Sequence, residues 1–152
     1  MPSNVINRQT WREQLASLID AQLDSTWDVF NYGTAEFNGK ARNVVVASGD
    51  SDYPELGADS NEVATGDAEF DFYITVFILY SDSAQSWTAQ ASENALDLGR
   101  KNIADVIRDN RKVNGYWDKL EPSGRSRVGL SEDQGGVPYR YEVIPVRAVK
   151  YG

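Results

Sequence analysis

The chain has 152 residues with 23 acids, 15 bases, no histidine and no cysteine; the length suits one domain, residues 1–152, able to bury a core without staples. The missing residue types exclude disulfides, thiolate nucleophiles, structural zinc centres and imidazole chemistry near neutral pH, and a sequence pI of about 4.5 argues against a sequence-independent nucleic-acid binder, which needs Lys and Arg to displace phosphate counterions. No apolar run approaches the roughly 18 residues of a membrane span, and Met1-Pro2-Ser3-Asn4 lacks the charged start and apolar core of a signal peptide, so synthesis in a cytoplasm is expected.

Thr10-Trp11-Arg12-Glu13 has the spacing of a capping box and predicts a helix start at Thr10. Trp11, Leu15, Leu18, Ile19 and Leu23 then fall on one helical face that should pack on a sheet, and Asp24-Ser25 ends the pattern. Residues 27–32 read as a first strand. Gly33 and Asn38-Gly39 follow as turn signals, and residues 43–48, with three successive valines, read as a second strand covered on both faces.

Residues 49–69 break the pattern. They carry Asp50, Asp52, Glu55, Asp59, Glu62, Asp67 and Glu69 with no Lys or Arg and no hydrophobic period. Removing these seven from the 23 acids leaves 16 against 15 bases, so nearly all of the net charge of -8 lies there. A structureless connection of about twenty residues is uncommon in a small domain and usually serves function or binding.

Residues 70–80 form the strongest strand signal, apolar on both alternating faces, and should be central. Ser81-Asp82-Ser83 offers N-caps for a long helix over 84–110 with Trp87, Ala91, Ala95, Leu98, Ile103, Val106 and Ile107 on one face. Gly99 inside it costs roughly 1 kcal/mol relative to Ala, which implies close packing or a bend there. Asn114-Gly115 closes the segment, and residues 116–120 fit either a turn or a loop. Residues 126–131 and 137–151 read as an antiparallel hairpin across Gly135-Gly136, with Pro145 pointing to an edge or bulge. The order gives an α+β fold: a mainly antiparallel sheet, two helices packed on it, and a long acidic loop between strands.

Few motifs carry chemistry. Asp50-Ser51-Asp52 begins like a calcium loop, but Pro54 stands where the fifth position needs an oxygen ligand and Glu55 where the sixth needs glycine. Gly135-Gly136 is followed by neither a helix start nor a Lys that would make it a phosphate cradle. Ser123-Gly124-Arg125-Ser126-Arg127 reads as a basic surface loop. Trp11 and Trp87 are expected in the core, whereas Trp117, beside Tyr116 in an irregular segment, suits an interface. No catalytic, cofactor-binding or metal-binding residue is assigned, and the chain is expected not to be an enzyme.

Charge placement says more. Residues 100–127 hold eight bases, including Arg108, Arg111 and Lys112, against four acids. Part of this suits a helix C-terminus. A further reading is that the acidic stretch of one protomer attracts the basic segment of a neighbour, giving head-to-tail association. The interface candidates are Asp50, Asp52, Glu55, Asp59, Arg108, Arg111, Lys112 and Trp117.

The whole arrangement, from residues 10–23 and 27–48 through the acidic loop to 70–80, 84–110 and 127–151, resembles the tail terminator and tail completion proteins of long-tailed bacteriophages. Tyr139-Arg140-Tyr141-Glu142-Val143-Ile144-Pro145-Val146 is similar to their closing strand. The resemblance implies a homo-oligomeric ring, usually hexameric, that caps the tail tube and provides the head-joining surface. Its partners would be further copies of itself, the tail tube protein and the head or neck connector, with DNA only passing through the channel. It implies a virion location and no cofactor. Other readings are a different neck or head-completion protein, or a carboxylate-dependent hydrolase holding a metal at the acidic loop.

Overall fold

The structure, a computed structural model, describes residues 7–33, 37–52, 68–82, 87–132 and 135–151, with backbone alone at 50–52. The first helix, α1, spans Arg8–Gln22 and is capped by Asn7, whose Oδ1 accepts from the Thr10 backbone N–H. Thr10 is therefore not the cap, as its spacing to Glu13 suggested; the helix begins earlier, and Asn7 satisfies the orphan donor of Thr10 itself. The apolar stripe is as expected: Trp11, Leu15, Ile19 and Leu23 are buried, with Leu18 packed beside them.

Three strands follow: β1 at Asp28–Phe30, β2 at Arg42–Asp52 and β3 at Ala68–Leu79. Both β2 and β3 extend into the acidic stretch, so Asp50 and Asp52 lie on a strand, with Asp52 opposite Glu69. The register shifts between Ser48 and Ser51, which places Gly49 at an irregularity where a Cβ would stand 2.8 Å from the Tyr73 ring and 3.1 Å from the Asp71 carbonyl oxygen. Extra length in one strand at such a shift is the signature of a bulge. The remainder of the acidic stretch, residues 53–67, lies outside the described residues.

The second helix, α2, spans Ala89–Asp109 and is capped by Thr88, whose side chain accepts from the Ala91 N–H. Of the expected caps, Ser81 and Asp82 stand too far upstream to cap this helix, and Ser83 lies outside the described residues. Trp87 is not on the helix: it bridges Asp82 through the backbone, and its indole N–H donates to the Leu79 carbonyl. With that residue removed, the buried stripe turns to Ser92, Ala95, Leu96, Gly99, Ile103, Val106 and Ile107, and Leu98 is exposed. Gly99 is there for close packing, because a Cβ would lie 2.7 Å from Trp27 and 2.9 Å from Val76.

The remaining strands are β4 at Lys119–Pro122, β5 at Arg127–Glu132 and β6 at Pro138–Lys150. The six-stranded sheet has the order β1-β2-β3-β6-β4, with β5 also paired to β6. Only β1 and β2 run parallel; all other pairs are antiparallel. The sheet is thus largely antiparallel with two helices on one face, and β3 is central as its two apolar faces predicted.

Pro145 is not at an edge, since β6 lies between β3 and the β4–β5 column. It sits where that column is interrupted: β5 pairs up to Val143 and β4 from Val146. Its carbonyl accepts from Ser123 N–H on that side. A strand residue projects N and O to the same side, so the missing N–H falls in the gap and costs no ladder bond.

The main core joins both helices to Val44 and Val46, to the alternate residues Phe70, Phe72, Ile74, Val76 and Ile78, and to Val146 and Ala148. Burying each such Val, Ile or Phe side chain contributes roughly 1.5–3 kcal/mol. A smaller cluster of Phe37, Val45, Leu79 and Tyr139 covers part of the opposite face.

Candidate interaction surface

Arg100, Ala104, Ile107 and Arg108 recur along α2 at i, i+4, i+7 and i+8, which sets them on one stripe at the margin of the buried one, and Arg111 follows just past the helix end. They form one wall of a groove of about 750 Å³. The facing wall is Leu120, Glu121 and Pro122 of β4 with Gly124, Arg125 and Ser126 of the connection to β5, and β6 contributes Ile144. Ser123 to Arg127 is a surface loop as expected, with Gly124, Arg125 and Arg127 exposed, and its middle three residues line this groove.

One end of the groove is held by a buried carboxylate. Glu142 accepts from Arg100 Nε at 3.1 Å and from the Ser126 hydroxyl at 2.6 Å. Glu142 is buried while the Arg100 side chain is more than half exposed. A buried carboxylate requires such partners, and these two tie α2, β6 and the β4–β5 connection together.

The other arginines differ. Arg108 is paired within its own helix, to Asp109 at 3.0 Å and to Asp105 at 3.1 Å; the bond to Asp109 and then its charge, followed by that of Asp105, raise the guanidinium pKa. Arg111 and Arg125 meet no carboxylate within ion-pair distance among the described residues. Glu121 lines the groove, but its carboxylate is already 3.1 Å from Lys119 Nζ. The groove thus has a cationic rim over an apolar lining of Ile107, Leu120 and Ile144.

The candidate residues of the sequence reading are placed unevenly. Arg108 and Arg111 come together on the groove wall, and Lys112 is exposed just beyond it. Asp50 and Asp52 lie near the far end of β2, and Glu55 and Asp59 fall outside the described residues. Trp117 is not a surface anchor: it is 1% exposed, its ring centroid lies 5.9 Å from that of Trp11, and its indole N–H donates to the Asn110 carbonyl at 3.0 Å. An irregular segment tolerates such burial here because the ring fills the core and its one donor is satisfied.

Arg100, Arg125, Ser126 and Glu142 were missed as site residues. The helical phase of Arg100 and Arg108 is readable in the sequence once bases are sorted by face and not merely counted. The approach of Arg125 to them depends on the β4–β6 pairing and has no local signal.

Among the described residues no group of three or more Asp or Glu side chains is placed to hold a metal ion. No described helix is long and apolar enough to cross a membrane.

No protein-family model matches the chain, and neither does any curated protein. Among solved structures it is similar to a chain of the virion of a native gene transfer agent particle, with 17% identity over 95% of both chains and a TM-score of 0.45. It is also similar to the sheath/tube terminator of an extracellular contractile injection system in its extended state, with 13% identity and a TM-score of 0.45. That match covers 97% of this chain but only 57% of the other.

Proposed function

We propose that the chain, acting as one domain over residues 1–152, is a structural virion protein of the tail terminator kind, whose copies close into a ring on the tail tube and present the surface that the head or neck joins. The observation that carries this reading is the pair of arginines, Arg111 and Arg125, left without a carboxylate among the described residues of a chain of net charge -8. Its excess of acids over bases lies elsewhere, in residues 49–69. Two unlike, complementary patches on one protomer favour head-to-tail contacts, which close into a ring when the rotation permits. Support also comes from the element order, in which a capped helix, short strands, the acidic connection, a central strand, a long helix and a closing hairpin follow one another as the family resemblance requires.

In this role the protein needs no catalysis and no cofactor. DNA passes through the ring without being held, and an acidic or neutral lumen helps because it offers phosphates nothing to bind. The test is mass in solution by sedimentation velocity, with negative-stain images of the protein alone and mixed with purified tail tubes. A ring of fixed stoichiometry that caps tube ends is expected, and its assembly should weaken as salt rises. A monomer at every concentration that leaves tubes unchanged would refute the reading.

A further inference from the structure

We infer that the arginine-rimmed groove between α2 and the β4–β5 connection receives residues 53–67 of a second copy of the chain; the inference rests on the ring reading and names its contact. The argument is chemical fit. The groove offers Arg111 and Arg125 around apolar residues, beside Arg100 and Arg108, which are already paired to carboxylates of this chain. An occupant must therefore bring carboxylates and apolar side chains together, because either alone would leave half of the lining unmatched.

Residues 53–67 have that composition. Glu55-Leu56 and Glu62-Val63 repeat an acid followed by an apolar residue, and Asp59 and Asp67 add charge with no base among them. Nucleic acid fits less well. It would satisfy the rim but not the apolar lining, and the chain as a whole repels it.

The position of the groove also bears on the partner. Arg140 of β6 pairs with Glu93 near the start of α2, and Leu120 N–H, on the strand paired to Ala148, donates to the Arg111 carbonyl at its end. The helix thus runs beside β6 in the same direction, and its basic end shares an end of the sheet with Ala68, opposite Lys150. The acidic connection departs between β2 and β3, some two to three strands away from β4, about 12 Å at the usual spacing. Docking onto its own protomer would use up both patches and leave none for a neighbour, whereas exchange between copies uses both and propagates round a ring.

The test uses charge reversal in the full chain. Arg111→Glu with Arg125→Glu alters the two groove arginines that meet no carboxylate among the described residues and leaves the Glu142 contacts intact. Glu55→Lys with Glu62→Lys alters the segment. Each pair of changes is expected to raise the concentration at the midpoint of self-association by about tenfold or more, and all four together to restore it. Unchanged thermal melting by circular dichroism keeps folding out of the comparison.

A labelled synthetic peptide of residues 53–67 supplies the second readout, with binding followed by fluorescence anisotropy. It should bind the chain, and lose binding with Arg111→Glu and Arg125→Glu. If the protein forms rings but the groove changes leave assembly as in the wild type, the groove inference fails and the ring reading stands. If the protein is monomeric yet the peptide binds and the groove changes abolish it, the ring reading fails and the class of occupant stands. Peptide binding only after the chain's own acids are neutralised would mean docking within one protomer and overturn the second copy. Tighter binding of a short DNA duplex than of the peptide would overturn the acidic segment altogether.

Discussion

Replacing Gly99 with Ala should destabilise the protein, although helix propensity alone says the reverse. In an exposed helix interior the change gains about 1 kcal/mol. Here the new Cβ would meet Trp27 Cη2 at 2.7 Å, Val76 Cγ1 at 2.9 Å and Trp27 Cζ3 at 3.3 Å. Favourable carbon contacts lie near 3.5–4.0 Å, so both neighbours must retreat by several tenths of an ångström. Neither has room: Val76 is buried on the central strand and Trp27 is buried in the same core. Overpacking of this kind costs roughly 1–3 kcal/mol, and two rigid neighbours place it in the upper half of that range. The net loss is then about 1–2 kcal/mol, or a fall of roughly 2–8 °C in Tm for a chain of this size.

Urea unfolding followed by circular dichroism measures it, with the midpoint falling and the slope unchanged. Trp27→Phe removes the ring atoms involved, so the double variant should recover part of the loss as a coupling of about 0.5 kcal/mol or more. A Gly99→Ala variant more stable than the wild type by the propensity value would refute the packing argument.

Arg100→Met should cost roughly 1–3 kcal/mol, because it leaves the buried Glu142 carboxylate with only the Ser126 hydroxyl; Arg100→Met with Glu142→Met should regain most of that in the same urea assay, and an unchanged midpoint for the single variant would show that solvent already replaces the arginine. Asp105→Asn tests the acid limb of stability. The bond from Lys101, aided by the charges of Lys101 and Arg108, holds the Asp105 carboxyl below its ordinary pKa. A carboxyl whose pKa is lower folded than unfolded stabilises the fold above the unfolded value, and loses that contribution as pH falls through the folded one. The gap between wild-type and Asp105→Asn midpoints should therefore be constant near neutrality and close in acid; a gap that widened in acid would reverse the sign.

Local periodicity made much of the fold legible. The α1 stripe from Trp11 to Leu23, the centrality of β3 and the closing hairpin all follow from patterns contained in a single segment. Errors arose where a decision depended on a neighbour distant in sequence. Counting Trp87 as helical led to Leu98 on the inner face, whereas its indole is claimed by the Leu79 carbonyl and the helix starts later, with Leu96 turned inward. Pro145 looked like an edge residue because nothing local records that β4 and β5 share one side of β6. Parallel pairing of β1 with β2 is likewise a long-range choice. Of the candidate surface, Arg108 on α2 and Arg111 just past it are legible in the sequence as a cluster of bases near a helix end. Trp117 was misplaced because its partner Trp11 lies over a hundred positions away and no local rule predicts the meeting.

The exposed groove follows from the widths of the layers. A helix with its side chains is about 10 Å across and strands lie about 4.8 Å apart, so one helix covers roughly two strands. In this protein α1 packs on β1 and β2, and α2 on β3 and β6 with a lighter contact to β4. Two helices therefore cover about four strands; Leu120 of β4 is still buried beside α2, whereas the helix-facing side of β5 is left open. Val128 and Leu130 record the consequence. They stand opposite Glu142 and Arg140, whose side chains reach α2, so they face the helical layer, yet they are 53% and 58% exposed. A column meant for water would carry polar residues on that face, as edge strands usually do. Instead the open strip joins apolar residues on β5 to a groove rimmed by arginines, and that combination is what a surface covered by another chain requires.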